Sequence, residues 1–240
     1  MKLNVLAIAA HPDDIELGAS GTLTKLSRKG YKVGIIDLTQ GELGTRGTPE
    51  IRLQEANEAA LAMGLEIREN LKLPDTLISN NRENQVKLIR LIRMYRPDIV
   101  LTQHWITRHP DHCNASNLVT DSCHFAGLTK IETGLERWRP YQIIYFHLPP
   151  EINPSFIIDV TDMYTARVKA IEAYQSQFSL ATRPEDMATG MTSPVFLKMI
   201  DARARYYGSL IGVEFAEAFF IKNHIEIKDP VMFFTPEPNK

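Results

Sequence analysis

Apolar and polar positions along this chain switch repeatedly between two patterns. Short, nearly continuous apolar runs at residues 3–10, 32–38 and 98–103 read as strands buried on both faces. Between them lie stretches whose apolar positions recur at helical spacing. The first run leads into a helix at about 19–29, closed by Gly30. After the second comes a glycine-rich loop, Gly41-Glu42-Leu43-Gly44-Thr45-Arg46-Gly47. Thr48 then reads as an N-cap with Pro49 at the first helical position, Glu50 and Glu55 near the start and Gly64 past the end. A short strand near 69–73 stops at Pro74-Asp75. Asn80 or Asn81 opens a helix with Val86, Leu88, Ile89, Ile92 and Tyr95 on its apolar face, until Pro97 forbids continuation. The strand at 98–103 is followed by a helix at about 112–126.

The last third keeps the mixture. Residues 141–147 and 156–160 read as strands, and Thr161 as the cap of a helix to about Ser176. Residues 179–193 read as a polar loop, 194–207 as a helix ended by Gly208, and 214–221 as a last strand. The tail from Lys228 reads as irregular. Strand–helix alternation without repeat or linker predicts α/β architecture: a Rossmann-like three-layer sandwich, mainly parallel, as one domain over 1–240.

Composition narrows the function classes. The 240 residues are 44% apolar and 23% charged, with a net charge of −2 from 27 basic and 29 acidic residues. That balance gives no basic excess for a nucleic-acid partner. No apolar stretch reaches transmembrane length. The N-terminus runs straight into a strand without a signal-peptide pattern, and Cys113 and Cys123 are too few for a disulfide scaffold, so the cytoplasm is the expected compartment. Both cysteines are expected to be buried small hydrophobes.

Two clusters carry candidate chemistry. His11-Pro12-Asp13-Asp14 and His109-Pro110-Asp111-His112 each sit where a strand stops and a helix starts. In an open α/β sheet, ligands bind outside the carboxyl ends of the strands. Within each cluster the outer residues are three apart, on one side of a helical turn. A single such cluster could be a turn with an N-cap, but two at strand ends point to a metal. Catalytic zinc commonly takes three protein ligands and keeps a position open for water; His11, Asp14 and His112 fit that count. Asp13, His109 and Asp111 remain beside them as a base, an electrophile for an oxyanion and a carboxylate to orient that electrophile. The run Glu16-Leu17-Gly18-Ala19-Ser20-Gly21 lacks the first glycine of a dinucleotide fingerprint, so Gly18 and Gly21 read as helix–sheet packing positions. His104 and His124 read as supporting or structural, and His147 as structural or cleft-bordering. Arg46 and Arg52 either cover a helix face or reach a carboxylate or sugar hydroxyl at the rim.

The first cluster within residues 10–18, together with Arg108-His109-Pro110-Asp111-His112, resembles the LmbE/PIG-L-like zinc deacetylases, which remove acetyl groups from N-acetylglucosamine conjugates. Asp37-Leu38-Thr39-Gln40-Gly41-Glu42-Leu43, Gly47-Thr48, Arg52, residues 173–178, Ala202-Arg203, Gly212-Val213 and Ala216-Glu217 resemble the bacillithiol-pathway branch, which hydrolyses N-acetylglucosaminyl malate. The resemblance implies His11, Asp14 and His112 as ligands of zinc, or of iron(II) or another divalent metal. It implies Asp13 as general base, His109 at the oxyanion, Asp111 tuning His109, and Arg52, Asp75 and Glu42 as substrate contacts. It also implies a trimeric or hexameric homo-oligomer. Thr107 and Phe196 stand where some relatives carry tyrosines. The alternatives are another N-acetylglucosamine conjugate, such as a mycothiol-type precursor or chitin oligosaccharide, or a non-catalytic metal- or sugar-binding module.

Overall fold

The computed structural model describes residues 1–179 and 188–235. A five-stranded sheet forms its centre: β1 (Val5–Ala9), β2 (Val33–Thr39), β3 (Ile67–Leu73), β4 (Ile99–Gln103) and β5 (Gln142–Phe146), in the order β3-β2-β1-β4-β5. All four pairings are parallel, with Val5 opposite both Val33 and Ile99. Each crossover is a helix: α1 (Asp14–Arg28), α2 (Pro49–Met63), α3 (Arg82–Tyr95) and α4 (Pro110–Ala126).

Strand alternation divides the core between two faces. From β1, Val5, Ala7 and Ala9 pack with Ile15 and Leu23 of α1, Ala56 and Ala59 of α2, and Ala170 and Ile171 of α5 (Tyr164–Glu172). Leu6 and Ile8 pack on the opposite face with Leu88, Ile89 and Ile92 of α3 and Leu118 and Val119 of α4. The apolar runs are continuous because helices cover both faces. Beyond β5 lies a two-stranded antiparallel sheet of β6 (Phe156–Asp159) and β7 (Ala216–Phe219). It joins the main sheet through the Tyr145–Phe220 bridge. No helix among the described residues is long and apolar enough to cross a membrane.

Most predicted elements stand within a few residues of their expected bounds, and five details differ. The helices after the two clusters begin at Asp14 and Pro110, so Asp14 and His112 fall in first turns rather than in loops. Thr161 does not cap the helix that follows it. Its hydroxyl accepts from Phe215 N (3.2 Å), and a 3-10 turn at Thr161–Met163 precedes α5. That helix stops at Glu172, and Gln175–Phe178 forms a separate short helix, α6. Gly208 does not end a helix: α7 (Pro194–Ile211) runs through it and stops at Gly212, in the left-handed region. A Cβ on Gly208 would lie 2.6 Å from Val213 O, so this glycine admits the returning chain. The expected irregular tail contains a short helix, α8 (Pro230–Phe234), capped by Asp229. Residues 180–187 of the expected polar loop lie outside the described residues.

Candidate active site

The strand order reverses between β1 and β4. The chain leaving β1 enters α1 on one face, and the chain leaving β4 enters α4 on the other. Diverging connections open a crevice at that switch point. His11, Pro12 and Asp13 form the turn from β1, and His109 is the N-cap of α4. The two clusters, about one hundred residues apart in sequence, therefore meet.

His11, Asp14 and His112 come together with their donor atoms all within 4.8 Å of one another. His112 Nε2 lies 3.0 Å from Asp14 Oδ1, and His11 Nδ1 lies 3.3 Å from Asp14 Oδ2. Ligands about 2.0–2.2 Å from a tetrahedral zinc stand roughly 3.4 Å apart, so the spacing suits that ion. Asp14 accepts from Gln103 Nε2 and from its own turn's His11 N, both at 2.8 Å, which fixes its carboxylate. Electrostatics point the same way. Burial alone would lower the His11 pKa, but Asp111, Asp14 and Asp75 hold it up at about 12. A proton on His11 supplies the positive charge these carboxylates require, a place a divalent cation would take. His11, His109 and Asp111 form an overlapping set of the same reach.

Asp13 is buried, with φ of 108°, a conformation that costs a non-glycine residue stability and recurs at functional sites. Arg52 Nη2 contacts its carboxylate at 3.0 Å and also donates to Pro12 O. Burial raises the Asp13 pKa to about 7, against the lowering pull of Arg52. Gly41, at φ of 65°, leaves room for the Arg52 guanidinium. Arg52 thus sits beneath the crevice rather than on an open rim, and Arg46 is buried as well.

Asp75 accepts from Leu43 N (3.0 Å) and contacts His11 Nε2 (3.2 Å). Its carboxyl is pulled down to about 2, chiefly by His11. Glu42 accepts from Asp75 N at 2.8 Å, so Glu42 supports that loop. His109 is exposed at the mouth and stacks on His112 with centroids 4.6 Å apart. Partial desolvation and the neighbouring His112 and His11 lower its pKa. The Asp111 carboxylate is engaged by Thr76 N (2.8 Å) and lies 3.4 Å from His11, while its Oδ1 is buried without a partner. Thr107 accepts from His109 N at 3.4 Å, and Phe196 stacks on Phe178.

Sequence reasoning missed Gln103 and Arg68. A polar residue closing an apolar strand was the available signal for Gln103. Arg68 bridges buried Glu16 and Asp37 beneath the site. Of the remaining histidines, His104 is buried against Trp105 and Phe220, His124 is exposed late in α4, and His147 stacks at 6.2 Å on His112. Cys123 is buried as expected, whereas Cys113 is partly exposed.

Four matches, one family profile and three proteins, relate the chain to known proteins. The family profile for PIG-L, GlcNAc-PI de-N-acetylase, matches residues 6–123. Diacetylchitobiose deacetylase of Thermococcus kodakarensis is 32% identical over 228 residues, covering 89% of this chain and 80% of that protein. Among solved structures, a conserved protein of Thermus thermophilus superposes with a TM-score of 0.84 at 35% identity, covering 94% of this chain and 97% of that one. The N,N'-diacetylchitobiose deacetylase of Pyrococcus horikoshii gives 0.79 at 28% identity, covering 98% and 86%. Two of these three are chitobiose deacetylases by name. The likeness therefore does not single out the malate-conjugate branch expected from the sequence motifs.

Proposed function

The chain belongs to the PIG-L/LmbE family of deacetylases, and we propose that it removes the acetyl group from an N-acetylglucosamine conjugate of about disaccharide size. The observation that carries this reading is the meeting of the two clusters at the switch point, with Asp13 left free of the His11–Asp14–His112 set. A closed structural site has no use for a spare buried carboxylate, which speaks against a non-catalytic binding module.

We assign the metal to His11, Asp14 and His112, with zinc as the preferred ion because the set pairs two imidazoles with one carboxylate. An ion held there would supply Lewis-acid polarisation for the acetyl carbonyl and a lower pKa for the attacking water. Asp13, oriented by Arg52, accepts the proton of the attacking water and returns it to the departing amine nitrogen. His109, at the mouth, donates an N–H to the oxygen on which charge develops. The N-termini of α1 and α4 converge there, and their backbone dipoles favour negative charge. Asp111 holds His11 and the Thr76 turn in register, and Asp75 and Glu42 present the opposite lip to sugar hydroxyls.

N,N'-diacetylchitobiose is the first substrate of this reading, since it is the named substrate of a relative that spans most of the chain. N-acetylglucosaminyl malate is the second, favoured by the motif resemblance around Gly41, Arg52 and Arg203. Acetate release from both, from an inositol conjugate and from free N-acetylglucosamine, measured side by side on zinc-loaded protein, tests the proposal. Turnover of one conjugate well above the free sugar is expected; no acetate from any of them overturns it. A cytoplasmic trimer or hexamer belongs to the same reading, and sedimentation of the purified chain checks the assembly.

A further inference from the structure

A second cleft lies beside His147, which also stacks on His112. Gly18, His147, Arg167, Arg203, Tyr207 and Glu217 are among its walls. His147 is the common wall: it stacks on His112, and Gly18 lets it settle, since a Cβ there would lie 2.8 Å from the His147 ring. Its backbone φ of 55° is left-handed, a strained placement for histidine. The cavity volume is about 20 Å³, enough for one water-sized group but not for a sugar ring.

The charges in this cleft do not cancel. Glu217 is satisfied by Gly21 N (2.9 Å), Thr22 N (2.8 Å) and Arg167 Nε (3.0 Å). Arg167, only 4% exposed, spends Nη2 on Leu17 O at 3.0 Å. Its Nη1 is buried with no acceptor. A guanidinium has donors only, so an oxygen must come from elsewhere to satisfy it. Arg203 lines the same cleft and has no ion pair or hydrogen bond among the described residues. The nearby acids on its helix and the following loop, Asp201 and Glu214, are engaged by Arg205 at 2.9 and 3.1 Å. The groups lining the cleft thus carry one net positive charge, and one orphaned buried donor sits in its wall.

We propose that this cleft is a carboxylate subsite, in which Arg203 and the Arg167 Nη1 hold a single carboxylate group beside the deacetylation centre. The proposal rests on the deacetylase reading and names what that reading leaves open. Two sources share the chemistry: a carboxylate on the aglycone of the substrate, or the acetate that the reaction releases. Tyr207, half-buried in the same wall, offers its hydroxyl as a further donor.

Arg203→Gln is the informative variant, because Arg203 is exposed and its loss leaves no buried group unpaired. Zinc-loaded wild type, Arg203→Gln and Arg203→Lys are compared in two measurements. The first is calorimetric titration with acetate and with malonate. The second is kcat/KM on N-acetylglucosaminyl malate and on neutral N,N'-diacetylchitobiose. Losing a charge-assisted contact at a partly solvated site weakens binding by about tenfold, with Arg203→Lys retaining most of the affinity. An aglycone source gives a tenfold loss of kcat/KM on the malate conjugate with the neutral disaccharide unchanged. A product source leaves both substrates unchanged and weakens acetate inhibition tenfold. Unaltered malonate and acetate binding in Arg203→Gln overturns the subsite, as does an equal loss on both substrates with anion binding intact. Should wild type deacetylate neither substrate, the function reading fails, and the titrations alone still decide the subsite.

Discussion

At the scale of single residues, Asp13 carries the proposed mechanism. It occupies a left-handed backbone conformation, is buried, and touches the Arg52 guanidinium. Burial lifts its pKa to about 7 and Arg52 opposes that lift. The base must be ionised to work, so activity increases with pH as Asp13 loses its proton. The acidic limb of kcat/KM is expected near or below pH 7, since a cation in the adjacent set lowers the pKa further. Removing the opposing charge in Arg52→Gln should move that limb to higher pH, a shift that loss of a substrate contact alone would not produce. Asp13→Asn is expected to lower kcat by roughly 10²–10⁴-fold with metal content retained, by elemental analysis. Near-normal turnover in that variant would remove Asp13 from the mechanism.

At the scale of elements, one side chain ties three together. Arg68 of β3 contacts Asp37 of β2 at 2.8 Å and Glu16 of α1 at 2.5 Å, all three nearly excluded from water. This network sits directly under the turn that carries Asp13 and Asp14. Truncating one partner of such a buried network leaves charge unpaired, at a cost of about 3–5 kcal/mol. Arg68→Met should therefore cost about that much in denaturant unfolding, and a loss below 1 kcal/mol would show that the carboxylates find other partners. The helix punctuation around these elements was legible locally. Thr48 with Pro49, Asn81, and Gly64 cap as their chemistry dictates, because caps are satisfied within one turn of chain. Thr161 misled for the opposite reason: its partner Phe215 lies 54 residues further along the chain. Gly208 misled because the chain that turns back at Gly212 brings Val213 and Glu214 against it, which requires a glycine inside the helix rather than at its end.

At the scale of the molecule, the His11–Asp14–His112 set joins two halves of the sheet across the switch point. A ligand that binds only the folded protein stabilises it by mass action, by about 2.7 kcal/mol at one hundred times its Kd. Chelation should therefore abolish acetate release and lower Tm, and one equivalent of zinc per chain should restore both. His112→Ala should fold yet lose the zinc-dependent increment in Tm. An unchanged increment in that variant would take His112 out of the ligand set.

The sequence by itself determined the strands, the helices, most caps and the two clusters at strand ends. Each of these depends on periodicity or on contacts a few residues away, and both motifs carry their chemistry in adjacent side chains. Tertiary structure alone decided which groups surround them. Gln103 reaches Asp14, Asp75 and Asp111 converge on His11, and Arg52 turns inward to Asp13 instead of lining an open rim. Those contacts join residues some forty to one hundred positions apart, brought together by the parallel crossovers and the reversal of strand order between β1 and β4. Arg167 and Arg203 came to face one cleft in the same way, through the packing of α5 and α7 against β7. No local pattern encodes such meetings, because burial and charge balance are properties of the packed chain.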